Sequence, residues 1–167
     1  HVNNKLIRRH PHVFGTSKIS DVKEVERNWD RIKKDEGLIT SPVDGIPNAT
    51  PALVYAQLMQ DRVSRDGFDW DDLSGVLDKV YEELKEVQDA STHEDLIDEI
   101  GDMLFSVVNL SRWYGIHAED ALRTSIVKFK NRYLLMEKLA KERGLQLSNM
   151  TLKDKDRLWE EAKQVER

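Results

Sequence analysis

Residues 82–86 read EELKE and residues 98–110 read DEIGDMLFSVVNL, and these two stretches decide the fold. In each, acidic residues three positions apart lie beside apolar residues that recur every three to four positions, which is the period of an amphipathic α-helix. Projection at 3.6 residues per turn puts one acid of each helix at the edge of the apolar stripe and a second acid one step further round: Glu83 and Glu86, and Glu99 and Asp102. The pattern therefore predicts two helices that carry carboxylates beside the side chains they bury.

The apolar stripes of these two helices are predicted to pack against each other. They contain Leu73, Val76, Leu77, Val80, Leu84 and Val87 on the first helix, and Leu96, Ile97, Ile100, Met103, Leu104, Val107 and Val108 on the second. If the helices pack antiparallel through a short loop, the four carboxylates converge. Burying them without partners costs several kcal/mol each, so we expect a hard divalent cation, Mg²⁺ or Mn²⁺ in its place. The alternative is that each acidic motif is a solvated helix face.

The composition excludes some kinds of site and argues against some kinds of partner. The chain has 167 residues, a net charge of -5 and no cysteine, which excludes disulfides and thiolate metal sites. The negative charge argues against nucleic acid as a partner, because binding a phosphate backbone needs a basic face. No apolar run approaches the roughly 20 residues of a membrane span. We therefore expect a cytoplasmic protein without a membrane partner.

The rest of the chain also has a helical pattern, and the fold is predicted to be all-α. The predicted helices are 21–36, 51–65, 71–90, 94–114, 118–143 and 152–165. Thr50, Asp69 and Thr92 are candidate N-caps, and Gly115 and Gly144 are placed to end helices. Gly101 lies inside a predicted helix, where glycine costs about 1 kcal/mol relative to alanine. It is expected to permit close approach of another helix or a ligand.

An internal repeat predicts the domain organisation. Lys5, Arg9 and Trp29 match Lys128, Arg132 and Trp159: in both places a Lys and an Arg four apart precede a helix with a central Trp. The match predicts that residues 1–37 are the tail of an earlier copy, 38–50 a linker rich in Pro and Gly, and 51–167 a complete domain. Chance similarity between two basic amphipathic segments is the alternative.

Several motifs together resemble the MazG nucleoside triphosphate pyrophosphohydrolases. The acidic signature lies in KVYEELKEV (79–87) and DEIGDMLFSVVNL (98–110); further similar stretches are RRHPHVF (8–14), GFDW (67–70), KFKNR (128–132) and LWEEAK (158–163). The resemblance covers essentially the whole chain. It implies a helical bundle of the all-α NTP pyrophosphatase type, in the form of the second MazG domain of a two-copy protein preceded by the tail of the first.

The resemblance also implies an activity and its residues. The activity is Mg²⁺-dependent hydrolysis of nucleoside triphosphates between the α and β phosphates, which gives a monophosphate and pyrophosphate. The implied metal ligands are Glu83, Glu86, Glu99 and Asp102. The implied nucleotide-binding residues are Lys79, Val80, Tyr81, Glu82 and Glu83 in the KVYEE segment, Lys128 and Arg132 for phosphate oxygens, and Trp159 for the base.

Individual residues have alternative interpretations. Glu82 is the candidate catalytic base, because a carboxylate not fully committed to metal could accept a proton from water; it could equally be an exposed helix glutamate. Lys128 and Arg132 could be a surface pair, and Trp159 could anchor the core or a dimer interface. Some two-copy relatives have a Lys just ahead of the second acidic pair, where this chain has Asp95. One phosphate contact is therefore expected to be missing or supplied from elsewhere.

The sequence leaves competing functions open. A related pyrophosphohydrolase acting on dUTP or phosphoribosyl-ATP is the nearest, and a non-catalytic regulatory domain that binds a metal-nucleotide is another. A structural helical dimerisation module is the third. A homodimer is expected in any case, because the helices are rich in apolar residues for one small domain and four tryptophans must be housed.

Overall fold

The computed structural model describes Ile7, Pro11–Phe14, Ile32 and residues 41–165. All regular structure in these residues is helical, which agrees with the predicted all-α class. Outside them lie the predicted helix at 21–36, apart from Ile32, and the repeat residues Lys5, Arg9 and Trp29. The division into 1–37, 38–50 and 51–167 therefore stays a prediction.

Five long helices follow a single helical turn at Pro11–Phe14. They are α1 (Ala52–Arg65), α2 (Leu73–Asp89), α3 (His93–Trp113), α4 (Ala118–Glu142) and α5 (Leu152–Val165), with a short 3₁₀ turn at Leu147–Asn149 before the last. Each lies within about two residues of a predicted helix, which is the usual uncertainty of helix ends. No described helix is long and apolar enough to cross a membrane.

The helix starts differ in part from the prediction. The Thr92 hydroxyl caps α3 by accepting from the Asp95 N–H, as predicted. Thr50 and Asp69 are not caps: α1 starts after Pro51 without a side-chain cap, and α2 is capped by Asp72, which accepts from two backbone N–H groups. The Asp69 prediction failed because its carboxylate is held by side chains of α3 instead.

Glycines end two helices as predicted. Gly115 follows α3 with φ 68° and Gly144 follows α4 with φ 66°, a left-handed conformation that residues with a Cβ rarely adopt. No described helix closely approaches Gly101, since a Cβ at that position would meet no atom within 4 Å among the described residues; the expected close approach of a ligand stays a prediction. No packed helix of the described residues requires this glycine.

The described residues form two compact units, divided between His117 and Ala118. In the first unit α2 and α3 pack side by side across the short connection 90–92, and α1 packs against α3. Val76 of α2 and Val108 of α3 are fully buried. The hairpin explains why acids of both helices meet, because Glu83 and Glu99 lie about equally far from its turn.

The predicted burial of the apolar stripes is only partly correct. Val76 and Val108 are buried, but five stripe residues are between 40% and 58% exposed: Leu84, Ile97, Ile100, Leu104 and Val107. Helix α3 has apolar residues around more of its circumference than the other helices of this unit cover. An apolar face on α3 is therefore left without a partner in the described chain.

The second unit is a pair of helices with a small core of its own. Helices α4 and α5 pack through the buried residues Met136, Ala140 and Leu158, with Trp159 half-buried against them. An ion pair of 2.5 Å between Arg143 and Glu161 links the end of α4 to α5. The first half of α4, by contrast, is exposed along its length from Ala121 to Asn131.

Candidate functional site

The four predicted metal ligands lie in two overlapping groups that share Glu83. Carboxylate oxygens of Glu83, Glu99 and Asp102 all lie within 4.8 Å of one another, and so do those of Glu82, Glu83 and Glu86. The first group joins α2 to α3, and the second lies along one face of α2. We call Glu82, Glu83, Glu86, Glu99 and Asp102 the carboxylate cluster.

Local sequence sets the positions of both helices that carry the cluster. Asp72 caps α2, and a capping box starts α3, in which Thr92 accepts from the Asp95 N–H and Asp95 accepts from the Thr92 N–H. Such caps satisfy backbone donors that a helix start leaves unpaired. The Asp95 carboxylate is therefore part of the N-terminal cap of α3. Where some relatives have Lys, this chain has a capping residue.

Glu83 is the central and most deeply buried member of the cluster. Only 3% of the residue is exposed. Its Oε1 lies 2.5 Å from the Lys79 ammonium nitrogen and forms an ion pair with it. The other oxygen, Oε2, is buried with no hydrogen-bond partner among the described residues. A buried carboxylate oxygen without a partner is costly, so this atom has the environment expected of a ligand that binds a cation.

Lys79 connects the cluster to its surroundings. Its ammonium lies 2.8 Å from Glu82 Oε1 as well as 2.5 Å from Glu83. The hydrogen bonds that Lys79 donates to Glu82 and Glu83 raise its pKa, so the ammonium stays charged. Among the described residues, Lys79 is the cation that pairs with acids of this five-carboxylate cluster, so the cluster has a large excess of negative charge.

The pKa of Glu99 reflects this excess of negative charge. Desolvation raises the pKa of Glu99 above its usual value, and the nearby charges of Glu86, Glu83 and Asp102 raise it further. A group of carboxylate oxygens that repel one another, one of them buried and unpaired, fits a hard divalent cation such as Mg²⁺. The donor set contains no nitrogen or sulfur ligand, which argues against a structural zinc site.

A cavity of about 590 Å³ adjoins the cluster within the first unit. Glu83, Asp102 and Lys79 form part of its wall, so it opens onto the candidate metal ligands. The rest of the wall is mainly apolar and aromatic and includes Phe68 and Trp70 from the loop between α1 and α2.

The loop that carries the two aromatic residues is held by a clamp around Asp69. Arg112 donates to both oxygens of its carboxylate at 2.9 and 2.5 Å, and Trp113 Nε1 donates at 3.2 Å. Burial alone would raise the pKa of Asp69, but hydrogen bonds from Arg112 and the Trp70 N–H outweigh it, so the pKa lies below its usual value. We call these contacts the Asp69 clamp.

The other predicted nucleotide-binding residues are spread over α2 and the second unit. Tyr81 is 68% exposed on α2, and Val80 beside it is half-buried. In the second unit Lys128 is exposed and Arg132 half-buried, while the Trp159 ring tilts against Phe129 at a centroid distance of 5.1 Å. Trp159 thus has a packing role in its own unit, as one sequence interpretation held, and its contact with a base remains a prediction.

Several residues around the cavity have no role that the sequence pattern predicts. GFDW was noted only as a similar motif, and Gln60, Asn109 and Arg112 were not singled out. One signal was available for Gln60: it follows Leu53 and Ala56 at helical spacing, so a polar residue stands in the apolar stripe of α1. No comparable signal marks Asn109.

Comparison with known proteins adds a family. Residues 72–134 match the model of the MazG nucleotide pyrophosphohydrolase domain. The chain is 43% identical over 164 residues to the nucleoside triphosphate pyrophosphohydrolase/pyrophosphatase MazG of Thermotoga maritima, covering 97% of this chain and 63% of that protein. It is 39% identical over 173 residues to the nucleoside triphosphate pyrophosphohydrolase of Escherichia coli K12, covering 99% of this chain and 66% of that protein.

A third relative is the uncharacterised protein YabN of Bacillus subtilis, 42% identical over 172 residues, of which this chain covers 35%. The chain thus spans between 35% and 66% of the length of these three relatives. The family match covers α2, α3 and the first half of α4, and so includes four carboxylates predicted as metal ligands. This chain therefore carries a MazG nucleotide pyrophosphohydrolase domain, and the resemblance predicted from its sequence is confirmed.

Proposed function

We propose that this chain hydrolyses nucleoside triphosphates between the α and β phosphates, with Mg²⁺ as the cofactor. The observation that carries the proposal is the buried Oε2 of Glu83, which has no partner among the described residues and lies where two groups of carboxylates overlap. The printed names of the relatives from Thermotoga maritima and Escherichia coli support the substrate class. Mn²⁺ is expected to substitute, because it accepts the same oxygen ligands.

Glu83, Glu86, Glu99 and Asp102 would hold the metal. A bound divalent ion would neutralise the triphosphate and bring the pKa of a bound water into a useful range. The carboxylates themselves have a second effect: their negative charge disfavours a triphosphate that arrives without a cation. Binding of metal and substrate is therefore expected to be linked.

Lys79 and the cluster residue Glu82 are proposed to control charge and proton transfer beside the metal ligands. The Lys79 ammonium pairs with both Glu82 and Glu83, and Lys79 also lines the cavity. The Glu82 side chain is 56% exposed, so water reaches it. We keep Glu82 as the proposed general base, because it is the cluster carboxylate that is accessible yet held by a hydrogen bond.

Five further substrate-binding residues are proposed from the family resemblance. Lys128 and Arg132 are proposed to bind phosphate oxygens, and Trp159 is proposed to contact the nucleotide. Tyr81 and Val80 on α2 are proposed to line the nucleotide pocket. These roles are testable by single substitution, since each predicts a higher KM for the triphosphate.

Product analysis tests the proposed reaction. Each NTP and dNTP is incubated with the purified chain in Mg²⁺ or in EDTA, and the products are separated by ion-exchange chromatography. Monophosphate and pyrophosphate formed only with Mg²⁺ are expected. Diphosphate and phosphate would contradict the proposal, and turnover of only dUTP or phosphoribosyl-ATP would favour the related enzymes. Metal-dependent nucleotide binding without any product would favour a regulatory domain.

We also infer that the chain forms a homodimer. The observation that supports this is the exposed apolar face of α3, to which Ile97 (58% exposed) and Leu104 (55% exposed) belong. Contiguous exposed apolar side chains on a helix commonly mark an interface. Sedimentation analysis should give a dimer for the wild type and a monomer for the double variant Ile97→Lys, Leu104→Lys. A wild-type monomer at micromolar concentration would refute the inference.

A further inference from the structure

A positive charge lies at the carboxylate cluster. The Lys79 ammonium is 2.5 Å from Glu83 Oε1 and 2.8 Å from Glu82 Oε1. Both acids follow the lysine on α2, three and four positions later. A lysine N-terminal to its glutamate is the less favourable order for an exposed ion pair along a helix. The main consequence of these contacts is therefore for the charge of the cluster and not for the stability of the helix.

The lysine and the two acids differ in burial. The Glu83 side chain is 4% exposed, whereas the side chains of Lys79 and Glu82 are 38% and 56% exposed. Burial holds Glu83 in place, while the partly exposed lysine reaches it on a flexible four-carbon stem. If another cation takes the Glu83 carboxylate, the lysine is the partner that is able to move.

The acids that pair with Lys79 belong to the groups of carboxylates that could hold a metal ion. Glu82 and Glu83 are two of the three acids in the group on α2, and Glu83 also belongs to the group with Glu99 and Asp102. A divalent ion bound by Glu83 therefore shares a carboxylate with the ammonium. Because both are cations a few ångströms apart, they repel each other.

The pairing of Lys79 differs from a structural ion pair in the same unit. Arg112 donates to both oxygens of the Asp69 carboxylate, and its side chain is largely buried. Lys79 contacts one oxygen of each of two acids, and Glu83 Oε2 still has no partner in the part of the chain that the structure describes. Lys79 thus compensates some of the negative charge of the cluster without pairing every buried oxygen.

We propose that Lys79 is the internal counter-ion of the carboxylate cluster and that it sets the affinity of the cluster for divalent metal ions. Its ammonium reduces the repulsion among the acids when no metal is bound, and it competes with Mg²⁺ for the Glu83 carboxylate. This role adds to the nucleotide contact proposed for Lys79 and does not replace it. The inference rests on the proposed function only in that the cluster is the metal site.

Calorimetric titration of Mg²⁺ into Lys79→Met and the wild type tests this role. Methionine keeps most of the aliphatic stem and removes the charge. The Mg²⁺ affinity of Lys79→Met should be at least about tenfold higher than that of the wild type, because a like charge so close to a divalent ion weakens its binding by that factor even at the dielectric constant of water. Lys79→Arg keeps the charge and should bind Mg²⁺ like the wild type.

Lys85→Met is the matched control for the loss of one positive charge from α2. Lys85 is an exposed lysine of the same helix, and it lies two positions after Glu83, so its side chain projects from nearly the opposite side of the helix. Lys85→Met should therefore bind Mg²⁺ with nearly the affinity of the wild type.

Melting temperatures of the same proteins provide a second measurement. Without metal, Lys79→Met should melt below Lys85→Met, because the acids of the cluster then repel one another more strongly. Its melting temperature should also rise more on addition of Mg²⁺, since tighter binding to the folded state stabilises it more. Should Lys79→Met fail to fold without metal, Lys79→Gln takes its place, because the glutamine amide can still donate a hydrogen bond to a carboxylate.

The outcomes separate this inference from the proposed metal site. Saturable Mg²⁺ binding by the wild type, with equal or weaker binding by Lys79→Met, would overturn the inference and leave the metal site in place. Saturable binding by Lys79→Met alone would support the inference and contradict Mg²⁺ as the cofactor of the wild type. If neither the wild type nor any of the Lys79 variants binds Mg²⁺, both the inference and the metal site are refuted.

Discussion

Asp69 of the clamp and Glu83 of the carboxylate cluster line the same cavity, but the surroundings of their carboxylates differ. In the clamp both oxygens of Asp69 accept hydrogen bonds, from Arg112, Trp113 and a backbone N–H. In the cluster Glu83 has one oxygen paired with Lys79, and the other is buried without a partner in the part of the chain that the structure describes.

The difference separates a structural carboxylate from a candidate ligand. Protein interiors leave few polar atoms unpaired, because each costs stability. Both carboxylate oxygens of Asp69 accept hydrogen bonds from within the chain. Asp69 therefore needs no ligand as a partner. Glu83 lies among four other acids, and its Oε2 has no hydrogen-bond partner among the described residues. A bound cation would supply that partner. Substitution in the two regions should therefore have different consequences.

The largest effect is expected from Glu83→Gln. The substitution keeps the shape of the side chain but removes the charge at the centre of the cluster, so pyrophosphate release should fall by about 10²–10³-fold, the loss typical for one preorganised electrostatic group. Thermal stability without metal should be unchanged or higher, since repulsion is relieved. Asp78→Asn, an exposed acid on the same helix, is the control and should retain full turnover. Wild-type turnover by Glu83→Gln would remove the cluster from the mechanism.

The next effect is a loss of stability from Asp69→Ala. The change leaves the Arg112 guanidinium, only 12% exposed as a side chain, without its carboxylate, which should lower the free energy of unfolding by about 1–3 kcal/mol. Urea denaturation measures the loss. Asp71→Ala, two residues away and exposed, should change it by less than about 0.5 kcal/mol. Equal stability of the two variants would show that the clamp contributes nothing.

The smallest effect is a pH dependence of opposite sign in the two regions. The pKa of Asp69 is lowered by folding, so its stabilising contribution is present above its unfolded pKa and is lost as pH falls through the lower, folded one. The pKa of Glu99 is raised, so its ionised form is unfavourable at neutral pH, and acidification through the folded pKa relieves this cost.

Melting temperatures of metal-free protein between pH 3 and 7 test these signs. Asp69→Asn should flatten the loss of stability at the acidic end of the range, because the proton-linked contribution is gone. Glu99→Gln should raise stability at neutral pH and have less effect in acid. Curves for both variants that run parallel to the wild type would contradict the assigned signs.

Much of the fold could be predicted because its signals are local. The apolar period of α2 and α3, the Thr92 cap and the glycines after α3 and α4 depend on residues close in sequence. The meeting of Glu83 with Glu99 also followed from a local feature, the short connection that makes the two helices antiparallel.

The failures of prediction concern contacts between distant residues. Asp69 looked like a helix cap, but Arg112 and Trp113, more than forty positions later, take its carboxylate. The apolar stripe of α3 predicted burial, yet no helix in the described chain covers Ile97 or Leu104, since periodicity marks a face without saying what packs on it. The Gln60 amide donates to the Phe105 carbonyl, and its oxygen has no partner among the described residues; no sequence pattern indicates either feature.

Calorimetric titration of Mg²⁺ into the protein tests the central claim that the carboxylate cluster binds a divalent metal ion. Mn²⁺ serves as a second probe. The account predicts saturable binding to the wild type and to Asp78→Asn, loss of most of that binding in Glu83→Gln, and a melting temperature that rises with metal only in the first two. Binding of equal affinity by Glu83→Gln and the wild type would contradict the account.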